Sequence, residues 1–270
     1  MAPVERYRID PGSDIDLASF DPDDIGCEQL SKHQVQKIHH AMSRELARLQ
    51  QLLFAEAKHK VIVVLQGMDS SGKDGTIRRV FTSVDPLGVN VANFKRPSLD
   101  ELAHDYLWRV HHHTPAKGFI TIFNRSHYED VLVPRVHSLV PEHQWKARYR
   151  HLVEFERMLY DEGAVILKFF LNISREEQGK RLQQRLENPI KQWKFEHGDI
   201  NERRYWNEYI LAYEDAISAT STVFAPWYII PANVKWYRNI VILQVLIDSM
   251  QALEMSYPVP AADLPTTIDG

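Results

Sequence analysis

The sequence predicts an α/β domain built around a parallel β-sheet. Several apolar runs have the length and the β-branched content of strands that are buried on both faces, as the strands of parallel sheets are. Segments with helical periodicity separate these runs, and that alternation is typical of βαβ units. A glycine-rich stretch also lies where the first run would turn into a helix. Together these patterns predict one compact domain.

The composition bounds the class of protein. With 270 residues, of which 44% are hydrophobic, the chain can bury a large core and shows no sign of disorder. Because the formal charge is −4, only a local basic patch could bind a polyanion, which argues against a general nucleic-acid-binding protein. The single cysteine, Cys27, excludes an internal disulfide, and the first residues lack the apolar run of a signal peptide. No run approaches the roughly 20 apolar residues of a membrane span. We therefore expect a cytoplasmic protein with no nucleic-acid or membrane partner.

The chain begins with an irregular segment that is followed by a helix. Residues 1–30 contain prolines and aspartates without a sustained period, which predicts an extended arm lying on the body of the protein. From Lys32 to about Ala57 the apolar residues recur at steps of three and four, as in an amphipathic helix. The run VIVVLQ at 61–66 then predicts the first buried strand.

Three later runs repeat the strand pattern, namely GVNVANF, GFITIFN and AVILKFFLN. Ser98 with Glu101, and Ser174 with Glu177, match the capping box that begins a helix. Between them, residues 142–162 carry apolar and aromatic side chains on one helical face. These segments supply the alternating strands and helices of the predicted fold.

The C-terminal part begins where the periodicity breaks. The stretch ENPIKQWKFEHGDINER mixes charged and aromatic residues with Pro189 and Gly198, and we expect a lid over about residues 181–205. A helix is predicted from about residue 201 to 220.

A short strand, WYIIPA, and a last helix over about residues 236–255 complete the prediction. The domain would thus span residues 31–257 and leave a tail at 258–270.

The segment GMDSSGKDGT is the most specific motif in the chain. Gly67, Gly72 and Lys73 satisfy GxxxxGK between a predicted strand and a predicted helix. In such a loop the glycines let backbone N–H groups turn toward a phosphate, and the lysine reaches the terminal phosphates. The alternative interpretation is purely structural, namely a glycine-rich turn with a solvated lysine. The predicted cradle consists of Gly67, Ser70, Ser71, Gly72, Lys73, Asp74 and Gly75.

Two aspartates in this motif bear on catalysis. Asp74 stands where a P-loop usually places the serine or threonine that binds the metal ion, so the metal ligands must lie elsewhere. Asp69 places a carboxylate inside an anion-binding loop, which is unfavourable unless it binds a metal ion or handles a proton. A simple turn aspartate is the alternative interpretation.

A second polar cluster follows the strand GFITIFN, at the edge of a parallel sheet where ligands gather. Its candidates are Asn124, Arg125, Glu129 and Asp130. Arg125 could bind phosphate oxygens, and Asp130 could supply the metal ligand that position 74 lacks. An Arg–Asp ion pair that caps a helix is the alternative.

The predicted lid is rich in basic side chains, with Trp193 and Phe195 interleaved. Such a density of basic side chains in an acidic protein indicates an element that closes over a polyanion and excludes water. A charged helix on the protein surface would give the same pattern. The basic residues are Arg181, Arg185, Lys191, Lys194, Arg203 and Arg204.

The motifs GMDSSGKDG, FNRSHYEDV and NPIKQWKFEHGDINER, in this order, resemble polyphosphate kinase family 2, and specifically the class that phosphorylates both AMP and ADP. The resemblance extends to FDPDD and PWYIIPANVKWYRN and so covers nearly the whole chain. Asp74 is no departure, since the loop of this family resembles GKDG itself.

The resemblance implies a three-layer α/β/α P-loop kinase fold with a helical lid and assembly into homodimers or homotetramers. It implies Mg²⁺, with Mn²⁺ as a substitute, held by Asp69 and Asp130. Lys73 and Arg125 would bind the phosphates in transfer, and Arg181 would contact them from the lid. The partners would be inorganic polyphosphate, AMP, ADP and ATP. The chain of polyphosphate would follow Lys191, Lys194 and Arg204.

Two other functions fit the same motifs. An ATP-dependent nucleotide kinase of the thymidylate kinase type would have a similar cradle, lid and sheet. A non-catalytic polyanion-binding module could keep the loop only as a binding nest.

Overall fold

The structure, a computed structural model, describes residues 4–26, 30–190, 192–194 and 197–260. Its centre is a parallel sheet with the strand order β2-β3-β1-β4-β5. The strands are β1 (Lys60–Gln66), β2 (Val89–Asn93), β3 (Ile120–Asn124), β4 (Ala164–Asn172) and β5 (Trp227–Pro231). Each lies where the sequence predicts a strand, so the predicted α/β class with a parallel sheet is confirmed.

Helices cover both faces of the sheet and make the fold three-layered. Those of the described chain are α1 (Lys32–Glu56), α2 (Lys73–Val80), α3 (Leu99–Leu102), α4 (Trp108–His111), α5 (Glu129–Val136), α6 (Glu142–Asp161), α7 (Arg175–Glu187), α8 (His197–Glu202), α9 (Trp206–Thr220) and α10 (Lys235–Gln251). On one face α5, α6 and α9 pack through a core that includes Val64 and Phe155. On the other face α1, α2 and α10 pack through a core that includes Leu46 and Val63.

The central strand β1 positions the site. Its residues from Val61 to Leu65 are fully buried because helices cover both faces. The chain continues from β1 to β2 and β3 on one side, and β4 and β5 follow on the other side. In sheets of this kind, ligands bind outside the carboxyl end of the strand at which the direction of winding reverses. The glycine-rich loop after β1 occupies this place.

Two helix predictions differ from the structure at their ends. The helix predicted over 201–220 begins as α9 at Trp206, because α8 and a 3₁₀ turn at Arg203–Tyr205 come before it. The last helix ends at Gln251 instead of near Met255. Residues beyond this point are exposed or half-buried, so packing no longer stabilises another helical turn.

One of the two predicted capping boxes forms completely. Ser98 and Glu101 exchange both hydrogen bonds. The Ser174 hydroxyl accepts from the Glu177 N–H at 3.1 Å, but the Glu177 carboxylate accepts from Arg181 Nε at 2.7 Å instead of closing the box. A charged guanidinium is the stronger donor, so it takes the carboxylate from the backbone N–H.

The N-terminal segment packs against the edge strand β5. The Ile9 N–H donates to the carbonyl oxygen of Trp227 at 2.8 Å, and Arg8 forms an antiparallel bridge with Tyr228. The side chain of Leu17 is buried in the core. These contacts cover a sheet edge that would otherwise expose unpaired backbone groups.

In the described ranges, the structure contains no helix with the length and hydrophobicity needed to span a membrane. Cys27 lies outside these ranges, as do Lys191 and Phe195 of the predicted lid.

Candidate active site

The loop after β1 has a backbone that requires glycine at two positions. Gly67 has a φ of 143°, and an added Cβ would lie 2.9 Å from the carbonyl oxygen of Leu171. Gly72 has a φ of 106°, and a Cβ there would collide with the guanidinium of Arg238. Side chains rarely adopt these φ values. The GxxxxGK spacing therefore has a steric cause in addition to its role in binding phosphate.

Several polar groups of the loop are poised for an anion. The hydroxyls of Ser70, Ser71 and Thr76 are buried and make no hydrogen bond to a described residue. Burying a polar group without a partner costs about 1–3 kcal/mol, and a hydroxyl can donate to a phosphate oxygen. The first N–H groups of α2, which include that of Gly75, have no partner within the helix because of helix geometry. These donors fit the predicted phosphate cradle.

Lys73 is buried beneath the loop with its charge turned toward carbonyl groups. Its Nζ donates to the carbonyl oxygens of Gly67 at 2.7 Å and Met68 at 3.3 Å. Burial, together with the nearby charge of Arg125, lowers the pKa of Lys73 to about 8, although the charge of Asp69 acts in the opposite direction. An anion in the loop would stabilise the ammonium form and raise this pKa.

Arg125 lies between two carboxylates. Its guanidinium donates to Asp69 Oδ1 at 2.6 Å and to Glu129 Oε2 at 3.2 Å. The charge of Glu129 raises the pKa of Arg125 above its usual value, with a further contribution from Asp69. The residue itself has a φ of 61°, which is uncommon outside glycine and marks a constrained backbone. The predicted second half of the site thus meets the loop through the Arg125–Asp69 ion pair.

Asp130 is paired with an arginine that the sequence did not single out. Arg109 is 6% exposed and donates from Nη2 to Asp130 Oδ2 at 3.1 Å. Burial raises the pKa of Asp130, and Arg109 acts in the opposite direction. The motif FNRSHYEDV therefore forms an Arg–Asp pair, but its arginine comes from α4 and not from Arg125. No local pattern around WRVHHH signals this partner.

Asn124 joins the second cluster to the first turn of α2. Its Nδ2 donates to Asp74 Oδ1 at 3.0 Å and to Asn93 Oδ1 at 2.8 Å. Asn124 and Asn93 are opposite each other at the ends of the paired strands β3 and β2. Asp74 thus connects the loop to the ends of these strands, and the predicted substrate role of Asn124 and Asp74 remains to be tested.

A deep cleft of about 1540 Å³ opens above the carboxyl end of the sheet. Five of the predicted site residues line it, namely Gly67, Asp69, Arg125, Glu129 and Asp130. The proposed chemistry required residues 69 and 130 to converge, although 61 positions separate them in sequence. Both residues line one cleft, and their convergence on a shared metal ion stays a prediction.

The basic residues that line this cleft are mostly not those predicted from the lid. They are Lys95, Arg96, Arg109, Arg125, Arg148 and Arg203. Of the residues predicted to follow the polyphosphate chain, Arg204 is exposed and does not line the cleft, whereas its neighbour Arg203 does. Lys191 and the side chain of Lys194 lie outside the described part of the structure. The contacts predicted for Lys191, Lys194 and Arg204 with polyphosphate stay predictions, and the cleft adds basic residues that the sequence did not single out, namely Lys95, Arg96, Arg109 and Arg148.

Arg181 packs against the backbone of the phosphate loop, and its predicted contact with substrate phosphate stays a prediction. It is 7% exposed within α7, and its Nε donates to Glu177 at 2.7 Å. Its other four N–H groups are directed at backbone carbonyl oxygens, which belong to Ser70 (3.1 Å), Ser71 (2.9 Å), Ala232 (2.7 Å) and Asn233 (3.0 Å). In this structure all five donors of the guanidinium are therefore engaged behind the loop, and none faces the cleft.

The carboxylates of the cleft suit a magnesium ion that also binds phosphate. Asp69 and Asp130 each use one oxygen for an arginine, which leaves the other oxygen of each. The described residues contain no cluster of three or more His, Cys, Asp or Glu side chains that could hold a metal ion alone. Mg²⁺ at phosphoryl-transfer sites commonly takes only one or two carboxylates and completes its shell with phosphates and water. The donor set therefore fits Mg²⁺ in the presence of substrate.

A buried polar network lies directly behind the motif FNRSHYEDV. Lys168 in β4 pairs with Glu156 of α6 at 2.6 Å, and both are essentially inaccessible. Glu156 also accepts from Tyr128 at 2.9 Å and lies 3.1 Å from His127 Nε2. His127 and Tyr128 of the motif thus face this buried network, whereas Arg125, Glu129 and Asp130 line the cleft. A lysine inside an apolar strand was the available sequence signal, but its partners could not be identified.

Comparisons with known proteins agree with this geometry. A family model described as polyphosphate kinase 2 (PPK2) matches residues 29–258. A protein from Meiothermus ruber named AMP/ADP-polyphosphate phosphotransferase is 55% identical over 257 residues, covering 95% of this chain and 96% of that protein. A protein from Rhodopseudomonas palustris named ADP-polyphosphate phosphotransferase is 40% identical, covering 94% and 92%. The crystal structure of polyphosphate kinase 2 from Arthrobacter aurescens TC1 superposes with a TM-score of 0.93 at 40% identity, covering 98% and 94%.

Proposed function

The chain belongs to the polyphosphate kinase 2 family, and on this premise we propose that it transfers phosphoryl groups between inorganic polyphosphate and the adenine nucleotides AMP, ADP and ATP. The name of the Meiothermus ruber relative supports both AMP and ADP as acceptors. The observation that carries the proposal is the single cleft in which a phosphate loop meets Arg125 and two carboxylates, Asp69 and Asp130. The reaction is reversible, because a phosphoanhydride is exchanged for a phosphoanhydride.

The chain's own residues supply positioning and charge. The N–H groups and hydroxyls of the loop bind the phosphate that is transferred, and Lys73 neutralises its charge from below. Arg125, held by Asp69 and Glu129, faces the same space and stabilises charge on the equatorial oxygens. The terminal oxygen of AMP or ADP attacks the end phosphorus of the chain in line, and Asp69 orients that oxygen. Transfer of this kind needs alignment more than covalent assistance.

Asp69 and Asp130 are the residues that would hold Mg²⁺, or Mn²⁺ in its place. The bound ion would neutralise phosphate charge and fix the orientation of the two substrates. Arg109 keeps Asp130 in place from behind. Glu129 contributes indirectly, because it fixes the guanidinium of Arg125.

The basic wall of the cleft is the proposed path of polyphosphate. Lys95, Arg96, Arg148 and Arg203 come from separate segments but line one space. A cleft of about 1540 Å³ is large enough for a chain end together with a nucleotide. Lys191, Lys194 and Arg204 stay predicted contacts farther along the chain, and we further propose a homodimer or homotetramer in the cytoplasm, where adenine nucleotides are available.

A direct assay tests the donor. Purified protein is incubated with AMP, polyphosphate and Mg²⁺ without ATP, and ADP and ATP are separated by anion-exchange chromatography. Both products are expected. The matched reaction contains ATP in place of polyphosphate, and a rate with ATP that exceeds the rate with polyphosphate would indicate an ordinary nucleotide kinase. Absence of product in both reactions would indicate a binding module.

A further inference from the structure

A second buried arginine, Arg238, lies beside Arg181 on the rear side of the phosphate loop. It comes from α10, is 2% exposed, and donates from Nη1 to the carbonyl oxygen of Ser71 at 3.2 Å. Arg181 Nη1 donates to the same oxygen at 2.9 Å. Two guanidinium groups therefore converge on one carbonyl of the loop, and they come from helices far apart in sequence.

This shared carbonyl controls the direction of the next amide. A trans peptide is planar, so the N–H of Gly72 points away from the carbonyl oxygen of Ser71. With that oxygen held by Arg181 and Arg238, the Gly72 N–H is directed to the side of the peptide opposite these two hydrogen bonds. It makes no hydrogen bond to another described residue, which leaves it available to a phosphate.

The guanidinium of Arg238 packs directly against the loop backbone at Gly72. A side chain at position 72 would collide with Arg238, and the glycine there lets the guanidinium approach the loop backbone. The donors Nε and Nη2 of Arg238 are both directed to Asn239 Oδ1, at 3.1 and 3.0 Å. The guanidinium is thus held with one edge against the loop.

The charge of Arg238 has no carboxylate partner among the described ion pairs, in contrast to Arg181, which has Glu177. Burial, together with the adjacent positive charge of Arg181, lowers the pKa of Arg238 to about 10. Placing an uncompensated cation in a low-dielectric site is unfavourable for folding alone. An anion in the adjacent loop would offset that cost.

We propose that Arg238, together with Arg181, is a positioning residue for phosphate binding, which orients and polarises the Ser71–Gly72 peptide so that its N–H donates a hydrogen bond to the substrate's phosphate. Donation to a carbonyl strengthens the N–H of the same peptide as a donor, because hydrogen bonds in a chain polarise one another. This inference rests on the proposed function, since it assigns a role at the same phosphate site.

The experiment compares Arg238→Met and Arg238→Lys with the wild-type protein. The affinity for inorganic tripolyphosphate is measured by isothermal titration calorimetry, together with kcat and KM for polyphosphate. Arg238→Met is expected to raise Kd and KM at least about tenfold, because a charged hydrogen bond is lost at the carbonyl that orients the binding amide. Arg238→Lys keeps the charge but loses the guanidinium, so its Kd and KM are expected to lie between those of the wild type and those of Arg238→Met.

A merely structural role would have a different signature. Such a residue would lower the Tm without ligand, and the remaining folded protein would bind tripolyphosphate as the wild type does. The proposal instead predicts that the rise in Tm produced by tripolyphosphate shrinks in Arg238→Met. The control is Arg135→Met, which removes an arginine paired with Asp215 away from the loop and should leave Kd within about twofold.

Two outcomes separate this inference from the proposed function. If the wild type binds tripolyphosphate and phosphorylates AMP, but Arg238→Met binds it within twofold of the wild type, the positioning role is wrong and the function stands. If the wild type neither binds tripolyphosphate nor uses polyphosphate, the proposed function fails. Should Arg238→Met not fold, Arg238→Lys decides: an unchanged Kd in that variant contradicts the role of the guanidinium geometry.

Discussion

The buried ammonium of Lys73 predicts a pH dependence with a defined position and sign. Its pKa of about 8 means that about nine-tenths of the free protein carries the charge at pH 7, and about one-tenth at pH 9. Because kcat/KM reports the free enzyme, kcat/KM for polyphosphate should fall about tenfold between these values. In the complex, phosphate raises the pKa of Lys73, so kcat should fall only at higher pH.

The same burial makes Lys73 a cost to stability. The difference between its ordinary pKa of 10.5 and about 8 corresponds to roughly 3 kcal/mol against folding at neutral pH. Replacing Lys73 by methionine removes this cost but also two hydrogen bonds, to Gly67 and Met68, worth about 1 kcal/mol each. A net gain of about 1 kcal/mol remains, which should raise the Tm by about 2–4 °C in an inactive protein.

The stability gained in Lys73→Met should also depend on pH, and the direction of this dependence follows from the lowered pKa of Lys73. Below pH 8 the lysine is charged in both folded and unfolded chains, and the cost is fully present. Between pH 8 and 10.5 the folded chain has lost the proton and the unfolded chain has kept it, so the cost disappears as pH rises. Since the two lost hydrogen bonds are worth about 2 kcal/mol together, the Tm values of wild type and Lys73→Met should become equal near about pH 9, and the wild type should be the more stable protein above it.

The measurements are steady-state rates from pH 6.5 to 9.5 at constant ionic strength, and thermal unfolding over the same range. Lys117→Met is the control, because Lys117 is exposed and distant in sequence from the loop. A kcat/KM that stays level to pH 9.5, together with a Lys73→Met protein less stable than the control at pH 7, would refute the assignment of a strained, phosphate-binding ammonium.

Three further substitutions test the site and its support. Asp69→Asn should lower kcat at least about 10²-fold with little change in Tm, and normal turnover would exclude its catalytic role. Arg109→Met removes a positive charge that lowers the pKa of Asp130, so this pKa should rise further. The acid limb of the pH–rate profile should then move to higher pH. A limb that does not move would mean that Asp130 does not titrate in the reaction. Lys168→Met leaves Glu156 buried and unpaired, so urea denaturation should register a loss of about 3–5 kcal/mol, most of which Lys168→Met with Glu156→Gln should restore.

The sequence by itself determined the parts of this protein that depend on short-range order. Hydrophobic periodicity predicted the strands and most helices, because an apolar strand or an amphipathic helix must bury the face that its residues define. The glycine spacing of GMDSSGKDGT predicted the phosphate loop, because the positive φ at Gly67 and Gly72 is a local backbone requirement. The polar cluster after GFITIFN was likewise predicted from its place at the end of a strand.

Only the tertiary structure decided which side chains meet. Arg109 reaches Asp130, Lys168 reaches Glu156, and Arg238 reaches Ser71 across 167 positions of the chain. The sequence around a charged residue does not identify the residue with which it will pair. Whether its charge needs a partner depends on whether the fold buries it. The same reason applies to Arg181, because the sequence could not identify the backbone carbonyl groups of Ser71 and Ala232 that accept its hydrogen bonds. Residue type and spacing thus predict which chemistry is present, whereas long-range packing determines the direction in which each charge acts.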